Sequence, residues 1–267
     1  MRFQTARKTA SDQFAAWLRT GTVFRGGRSK RRRSQIEKLE QRVLLTVFDP
    51  SNVVIDGAAG SLRDAISQAN SNGADDVIRL SAGIWQIDAG TAGIQDNANL
   101  RGDFDLTESG RRVVIEGAGA GVTIIDGNSL DRVFHIGDGV QVVIRNLTIV
   151  NGLAVDDGFP GSTAFDRTAS GGAILVSRGS LELDGVVLIE NQAIGAEGDR
   201  GRDGRRAFGG AVAVYDGSLT VRDSRIENSL LKGGSGGQGR EGQHGTGGSP
   251  DGENGEDGGQ GGDALGG

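Results

Sequence analysis

The side chains most suited to catalysis lie between residues 103 and 145, where charged residues separate short apolar runs. The candidate acids are Asp103, Asp105, Asp126 and Asp131, and the candidate bases are Arg132 and Arg145. Two carboxyl groups at a fixed separation hydrolyse a glycosidic bond, whereas a carboxylate-bound cation and a basic side chain eliminate across a uronate. The spacing of these residues does not bring them together, so the sequence predicts no catalytic residue.

Metal binding is considered for three of these aspartates. Asp103 and Asp105 flank Phe104 in a predicted strand and therefore share one of its faces, whereas Asp126 lies in the turn sequence IIDGN. The only histidines, His135 and His244, do not form a metal site by themselves, and His135 is predicted to point outward from VFHI. No cofactor and no metal site are predicted; Asp103, Asp105 and Asp126 are the candidate ligands, and calcium is the ion considered for the chain.

Composition excludes several classes of protein. Glycine accounts for 48 of the 267 residues and proline for 3, which disfavours a collagen triple helix, since that needs about 15–20% proline or hydroxyproline. The absence of cysteine excludes disulfides, thiolate metal sites and cysteine nucleophiles. No apolar stretch approaches the roughly 20 residues that cross a bilayer, so no transmembrane segment is predicted.

Charge divides the chain into two parts. Residues 1–45 carry 12 Lys and Arg against 3 Asp and Glu, and the remainder carries 17 against 32. The acidic remainder argues against a nucleic-acid partner for the basic part, so residues 1–46 are predicted to be a mostly disordered export or targeting segment.

The end of this basic segment carries a short motif. Residues 39–45, LEQRVLL, follow an Arg-rich run. They resemble the LEPR-type N-terminal motif of surface and secreted proteins from planctomycete bacteria, with Gln41 where that motif has proline. A twin-arginine signal is a competing interpretation, but SQIEKLE after Arg33 lacks the apolar run. An ordinary basic tail is the other alternative. The resemblance implies an extracellular or cell-surface location.

Beyond this segment the sequence predicts one helix and then many strands. Residues 61–70, SLRDAISQAN, place Leu62, Ala65, Ile66 and Ala69 on one face of a short helix, with Ser61 as N-cap and a stop at Gly73. Such a short helix is marginal alone, so its apolar face must pack on something. Runs of β-branched residues bounded by turn residues predict strands at 77–80, 113–116, 122–126, 133–136, 140–145 and 147–150.

Internal repeats indicate how the strands are arranged. The segments beginning at Ala169, Ala207 and Ala264 share the pattern A-x-G-G, and GSLEL…IEN at 179–191 recurs as GSLTV…IEN at 217–228. A unit of about 22 residues with three short strands and three turns is one coil of a parallel β-helix. Asn151, Asn191 and Asn228 are predicted to occupy one turn, as a ladder or in the left-handed conformation. The helix at 61–70 is predicted to cover the first coil.

Several motifs in order carry a family resemblance. SLRDAISQAN is followed by GDFDL at 102–106, GAGAGVTIIDGN at 117–128, DRVF at 131–134 and GGAI-type coils. Together they resemble the bacterial CSLREA-type proteins, which are related to polymorphic outer-membrane protein repeats, with Gly60 in place of the usual Cys and Asp64 in place of Glu. The resemblance covers about residues 47–230. It implies a right-handed single-stranded parallel β-helix of the pectin-lyase-like kind, a surface setting, and no particular reaction.

The repeats differ in length because insertions occur at one position, between the asparagine turn and the next Gly-Gly pair. These insertions carry glycine at every third residue, over 195–204, 233–248 and 252–261. A period of three fits extended polyproline-II-like strands packed through glycine. A flexible linker and a calcium-binding nonapeptide repeat are the alternatives, although the repeat's apolar position is missing. The predicted domains are 1–46, the β-helix at 47–230, and a Gly-rich region at 231–267.

These patterns predict a non-enzymatic surface or secreted β-helix scaffold for adhesion, display or envelope structure, with envelope or extracellular glycans or proteins as partners. The alternative is a polysaccharide lyase or glycoside hydrolase acting on an acidic polysaccharide. The chain stops at Ala264-Leu-Gly-Gly267, where another coil would begin. We therefore expect a fragment of a longer repeat protein, whose bare edge favours self-association.

Overall fold

The computed structural model describes residues 45–88, 96–160, 168–239 and 257–265. The first elements in chain order are β1 (Leu45–Phe48), α1 (Leu62–Ala69), β2 (Asp75–Arg79), β3 (Gly83–Gln86), β4 (Phe104–Leu106), β5 (Arg112–Glu116), β6 (Thr123–Asp126), β7 (Phe134–Ile136), β8 (Gln141–Arg145), β9 (Thr148–Val150) and β10 (Leu153–Ala154). They are followed by β11 (Ala169–Ser170), β12 (Ile174–Ser177), β13 (Ser180–Asp184), β14 (Val187–Ile189), β15 (Gln192–Ile194), β16 (Ala207–Phe208), β17 (Val212–Tyr215), β18 (Ser218–Arg222), β19 (Arg225–Glu227), β20 (Leu230–Lys232) and β21 (Ala264–Leu265).

Some of the predicted segments lie outside the described residues, and two predicted domain boundaries lie within strands. Residues 1–44, which include most of the predicted export segment, and His244 lie outside the described residues. The predicted domain boundaries after residues 46 and 230 fall within β1 and β20. Within the described ranges no helix has the length and apolar character needed to cross a membrane.

The strands form five sheets, and every pairing in the described part of the chain is parallel. The sheet orders are β1-β2-β5-β8-β13-β18, β19-β14-β9-β6-β3, β17-β12-β7-β4, β10-β15-β20 and β11-β16-β21. The predicted all-β parallel fold is confirmed, and the six predicted strands are present with ends shifted by one or two residues.

Consecutive strands enter different sheets in a fixed order. From β12 the chain visits the four-stranded sheet, then the six- and five-stranded sheets through β13 and β14, and then the two three-stranded sheets. It returns to the four-stranded sheet at β17. Each pass therefore lays one strand beside its equivalent from the previous pass.

The core consists of stacks of apolar side chains at equivalent strand positions. Ile115 pairs with Ile144, which pairs with Leu183, and all three are completely buried. Phe104 stacks on Phe134 with ring centroids 5.6 Å apart. Burying an aliphatic side chain of this size stabilises the fold by about 1.5–3 kcal/mol, so these stacks hold the sheets together.

The last strands of the sheets lack such cover. Leu219 and Val221 on β18 pair with Leu181 and Leu183 on β13. They are nevertheless 38% and 46% exposed, whereas their partners are 2% and 0% exposed. Because β18 is an edge strand in the described part of the chain, no neighbour covers these apolar side chains.

Helix α1 forms where the sequence predicts it and buries the expected face. The Ser61 side chain accepts a hydrogen bond from Asp64 N, and the helix ends at Ala69 with Asn70 as C-cap, before the predicted stop at Gly73. Asn70 also satisfies the backbone of the edge strand β4, since its Nδ2 donates to the carbonyl of Asp105 at 2.7 Å. The helix therefore covers one edge of the four-stranded sheet.

The predicted asparagine ladder is wrong at its middle position. Asn151 and Asn228 have the expected left-handed conformation, with φ of 52° and 51°, but the equivalent residue between them is Glu190, with φ of 56°. Asn191 comes one residue later. The repeated letters IEN align the copies incorrectly because the register follows the apolar side chain that faces the core, which in β14 is the fully buried Leu188.

The glycine-rich insertions are packed in the described residues. We use the name glycine bundle for residues 195–206, whose two extended arms are joined by a turn at 199–202, together with the extended segments 233–239 and 258–263. Amides of Gly195, Gly198 and Gly201 donate to carbonyls of residues 232, 235 and 238 at 2.8–2.9 Å. This spacing of three residues is the period of a polyproline-II helix. A Cβ on Gly237 would lie 1.8 Å from the carbonyl oxygen of Asp199. Glycine-packed extended segments are confirmed here, and a flexible linker is wrong for these residues.

Candidate functional site

The sequence predicts that Asp103 and Asp105 share one face of a strand, and the structure brings this pair together with His135 and Arg132, which the spacing did not predict. The two aspartates lie on one face at the start of β4, and the register places Asp105 beside His135 on β7. One ligand-type atom from each of Asp103, Asp105 and His135 lies within 4.8 Å of the others. All three side chains are buried. This group could hold a metal ion. Asp103 and Asp105 were candidate metal ligands in the sequence, but His135 was not, because only the pairing of β4 with β7 brings it beside them.

Arg132 organises the carboxylates on the other side of this group. It is completely buried; its Nε lies 2.7 Å from Asp103 Oδ2 and 4.0 Å from Asp131 Oδ1. One terminal nitrogen pairs with Asp156, and the other donates to the carbonyl of Ser170 at 2.6 Å. A single guanidinium therefore links the approach to β4, the approach to β7 and the segment after β10.

The environment of Arg132 removes it from the candidate bases. Burial lowers its pKa, but the carboxylates of Asp103, Asp131 and Asp156 raise it by more, so the pKa lies above its ordinary value. A guanidinium in this position stays protonated. The sequence-based suggestion that Arg132 accepts a proton is wrong, because the residue is an ion-paired cation in the interior.

Asp103 has a strongly altered acidity. Burial, followed by the neighbouring carboxylates of Asp131 and Asp105, raises the pKa of Asp103 well above its ordinary value, and the charge of Arg132 opposes the shift. Desolvation and like charges both disfavour the carboxylate form. Raised carboxyl pKa values occur at functional sites and also in structural ion-pair networks. The contacts of Asp103 therefore distinguish between these two roles.

A second buried arginine, Arg63 on α1, was not singled out by the sequence. Its Nη1 donates to the carbonyl of Asp103 at 2.8 Å and its Nη2 to the carbonyl of Gly102 at 2.6 Å. The guanidinium also binds both oxygens of Asp56 at 3.0 Å and lies 4.7 Å from the centre of the Phe104 ring. Arg63 therefore satisfies the backbone just before β4, as Asn70 does within it.

His135 faces away from the core, as predicted, but it is not exposed. Only 4% of the residue is accessible, and the strand register places it between Asp105 and Leu175. Its Nδ1 is 3.3 Å from Asp105 Oδ1, and its Nε2 is 3.0 Å from Ser177 Oγ. An open pocket lined in part by Thr107, His135, Asp138 and Ser177 adjoins the ring.

The remaining candidates lie elsewhere. Asp126 is in the five-stranded sheet, where its Oδ1 accepts hydrogen bonds from Asn128 N at 2.8 Å and Asn151 Nδ2 at 3.0 Å. Arg145 pairs with Glu116 at 3.1 Å across the six-stranded sheet. Neither residue joins the buried group, so Asp126 acts as the turn residue that its sequence context suggests.

Comparison of the chain with family models, curated proteins and solved structures gives no match.

Proposed function

We propose that this chain is a secreted or cell-surface scaffold built as a right-handed, single-stranded parallel β-helix of the CSLREA type, with a role in adhesion, display or envelope structure. The observation that carries the proposal is the residue-by-residue register of successive passes, such as Ala169 with Ala207 and Ala207 with Ala264. Equivalent residues stacked in this way are typical of solenoids, whose extended surfaces bind large partners.

The contacts of the acidic side chains support a scaffold over a polysaccharide-cleaving enzyme. Asp103 and Asp156 bind the buried Arg132, so their carboxyl groups are held away from any substrate. Glu182, on the outer face of the six-stranded sheet, pairs with Arg222 at 2.9 Å. A general acid must reach the bond that it protonates, and these carboxylates are engaged within the protein.

The glycine bundle supplies the proposed binding face. Its glycines face one another, which leaves the residues between them outward, and Asp199, Arg200 and Arg202 are exposed there. Insertions at one point of a solenoid form a continuous surface that often binds partners. We assign the recognition of envelope or extracellular glycans or proteins to this face.

A direct test measures binding and cleavage in one experiment. The purified chain is incubated with insoluble bacterial envelopes and with acidic polysaccharides, with and without calcium. Sedimentation gives the bound fraction, and near-ultraviolet absorbance and new reducing ends report cleavage. We expect saturable binding without product, weakened by Arg200→Ala with Arg202→Ala. Product formation would support the lyase or hydrolase instead, and absence of binding to every surface would refute adhesion.

The exposed edge of the last strands is the proposed surface for self-association. Leu219, Val221 and Ile226 occupy core-equivalent positions and are 38%, 46% and 50% exposed. A second copy stacked on β18 and β19 would bury them. Sedimentation velocity should show a larger species as concentration rises, and Val221→Lys should keep the chain monomeric. A monomer at all concentrations would contradict this part of the proposal.

A further inference from the structure

Two ligand-type atoms between β4 and β7 already have the separation of ligands on one ion. Asp105 Oδ1 lies 3.3 Å from His135 Nδ1. Two ligands bound at about 2.1 Å to a tetrahedral ion stand about 3.4 Å apart. Asp103 brings a third ligand atom within 4.8 Å of both, so a small closure of the side chains would complete a three-ligand set.

The buried Oδ1 of Asp105 lies beside the His135 ring without a hydrogen bond of good geometry. It accepts no hydrogen bond from any described residue, although the side chain is only 1% exposed. Leaving a buried carboxylate oxygen without a partner is costly. This oxygen lies 3.3 Å from the ring nitrogen Nδ1 of His135, on the side of the candidate metal site.

The other nitrogen of His135 has the partner that a metal-binding histidine needs. Nε2 lies 3.0 Å from Ser177 Oγ. When Nε2 carries the proton and donates it to this hydroxyl, the lone pair of Nδ1 faces the Asp105 carboxylate. The lone pair and the carboxylate repel each other, and a cation bound between them would accept both as ligands. Donation of the second ring N–H to a neighbour is the usual way in which a protein orients a histidine ligand.

Local charge also favours a cation. Asp103, Asp131 and Asp156 surround the single guanidinium of Arg132, and Asp105 adds a fourth buried carboxylate. Buried acidic side chains therefore outnumber the guanidinium that they surround. A divalent ion beside Asp103 and Asp105 would offset most of that excess.

We propose that Asp103, Asp105 and His135 bind one divalent transition-metal ion, with Zn²⁺ as the representative ion, and that it ties β4 to β7. Imidazole with carboxylates suits zinc and its transition-metal neighbours, whereas calcium takes oxygen ligands. Calcium, the ion considered from the sequence, is therefore not expected here. The role of the ion is structural, since metal binding to the folded form stabilises it.

The test uses the full chain freed of metal by a chelator and then dialysed. Zn²⁺ is titrated in competition with a chromophoric chelator, and thermal unfolding is followed with and without one equivalent. We expect one tight site and a rise in Tm with Zn²⁺, and no such rise with Ca²⁺ at the same concentration. Ser177→Ala should weaken binding by about 10- to 100-fold, and His135→Gln should weaken it further.

His244→Gln is the matched control, because it removes the only other histidine of the chain. It should keep wild-type affinity. The folding of His135→Gln is checked by circular dichroism, and the wild-type chain provides an independent readout, the ¹⁵N shift of His135 Nδ1 on addition of Zn²⁺. The proposal is overturned by a wild-type chain that binds no Zn²⁺, by binding that depends on His244, or by an unchanged Nδ1 shift.

Discussion

Two adjacent glycines of the glycine bundle provide a sharp test of how it is held together. A Cβ added to Gly262 would lie 2.0 Å from the carbonyl oxygen of Arg205, whereas a Cβ added to Gly261 would have its nearest neighbour, Gly234 O, at 3.7 Å. Ordinary contact begins at about 3.4 Å. Gly262→Ala therefore forces two extended segments apart, whereas Gly261→Ala adds a methyl group at ordinary van der Waals distance from its neighbour.

The two substitutions are expected to change the stability of the glycine bundle by different amounts and in opposite directions. Overpacking a close-packed region costs about 1–3 kcal/mol, which corresponds to about a 5- to 150-fold change in an opening equilibrium. At Gly261 the backbone does not adopt positive φ, so alanine stabilises the bundle by about 0.4–1 kcal/mol through a less flexible unfolded state. The two variants differ by one methyl group at neighbouring positions.

Hydrogen exchange measured by mass spectrometry reads this difference directly. The amide of Gly262 donates to Gly234 O at 2.7 Å, and that of Gly234 donates to Arg205 O at 2.8 Å. Peptides covering 195–206, 233–239 and 258–263 should exchange faster in Gly262→Ala and at the wild-type rate or slower in Gly261→Ala. Equal rates in the two variants, or wild-type exchange as fast as a random coil, would refute packing through glycine.

Three further changes test other parts of the structure. Arg132→Met should lower the free energy of unfolding by about 3–5 kcal/mol, because it leaves buried carboxylates without their cation; a change below 1 kcal/mol in urea unfolding would contradict this. Glu190→Asn should stabilise the chain by about 0.5–1 kcal/mol in the same assay, since asparagine tolerates positive φ better than glutamate, and a destabilised variant would count against the register. Burial raises the pKa of Asp76 above its ordinary 3.8, against hydrogen bonds from Asn72 and Thr46. The folded form then holds this proton more tightly than the unfolded chain, so stability declines as pH rises from 3.8 through the raised value. Asp76→Asn should remove that decline, and its advantage over wild type should grow with pH; a pH-independent difference would show the reasoning to be wrong.

Local patterns were sufficient to predict the helix and part of the strands. The spacing of Leu62, Ala65, Ile66 and Ala69 identified α1, and the β-branched runs identified six strands. The A-x-G-G repeat also predicted a true register, since Ala169, Ala207 and Ala264 pair in one sheet. These signals are readable in the sequence because each depends on the spacing of residue types within a few positions or on a repeated motif.

Contacts between segments distant in the sequence could not be predicted from local patterns and are seen only in the tertiary structure. The repeated motif IEN placed Asn191 at the turn position that Glu190 occupies in the structure. The register differs by one residue because it follows the side chains that face the core, not the repeated motif. Asp103 and Arg132 are 29 positions apart in the sequence, and their ion pair depends on the stacking of β4 on β7. The packing of the insertions likewise required the positions of neighbouring carbonyl groups. The sequence by itself determined short-range periodicity and turn chemistry. Only the tertiary structure decided which buried charges meet, because these contacts depend on the register between neighbouring parallel strands.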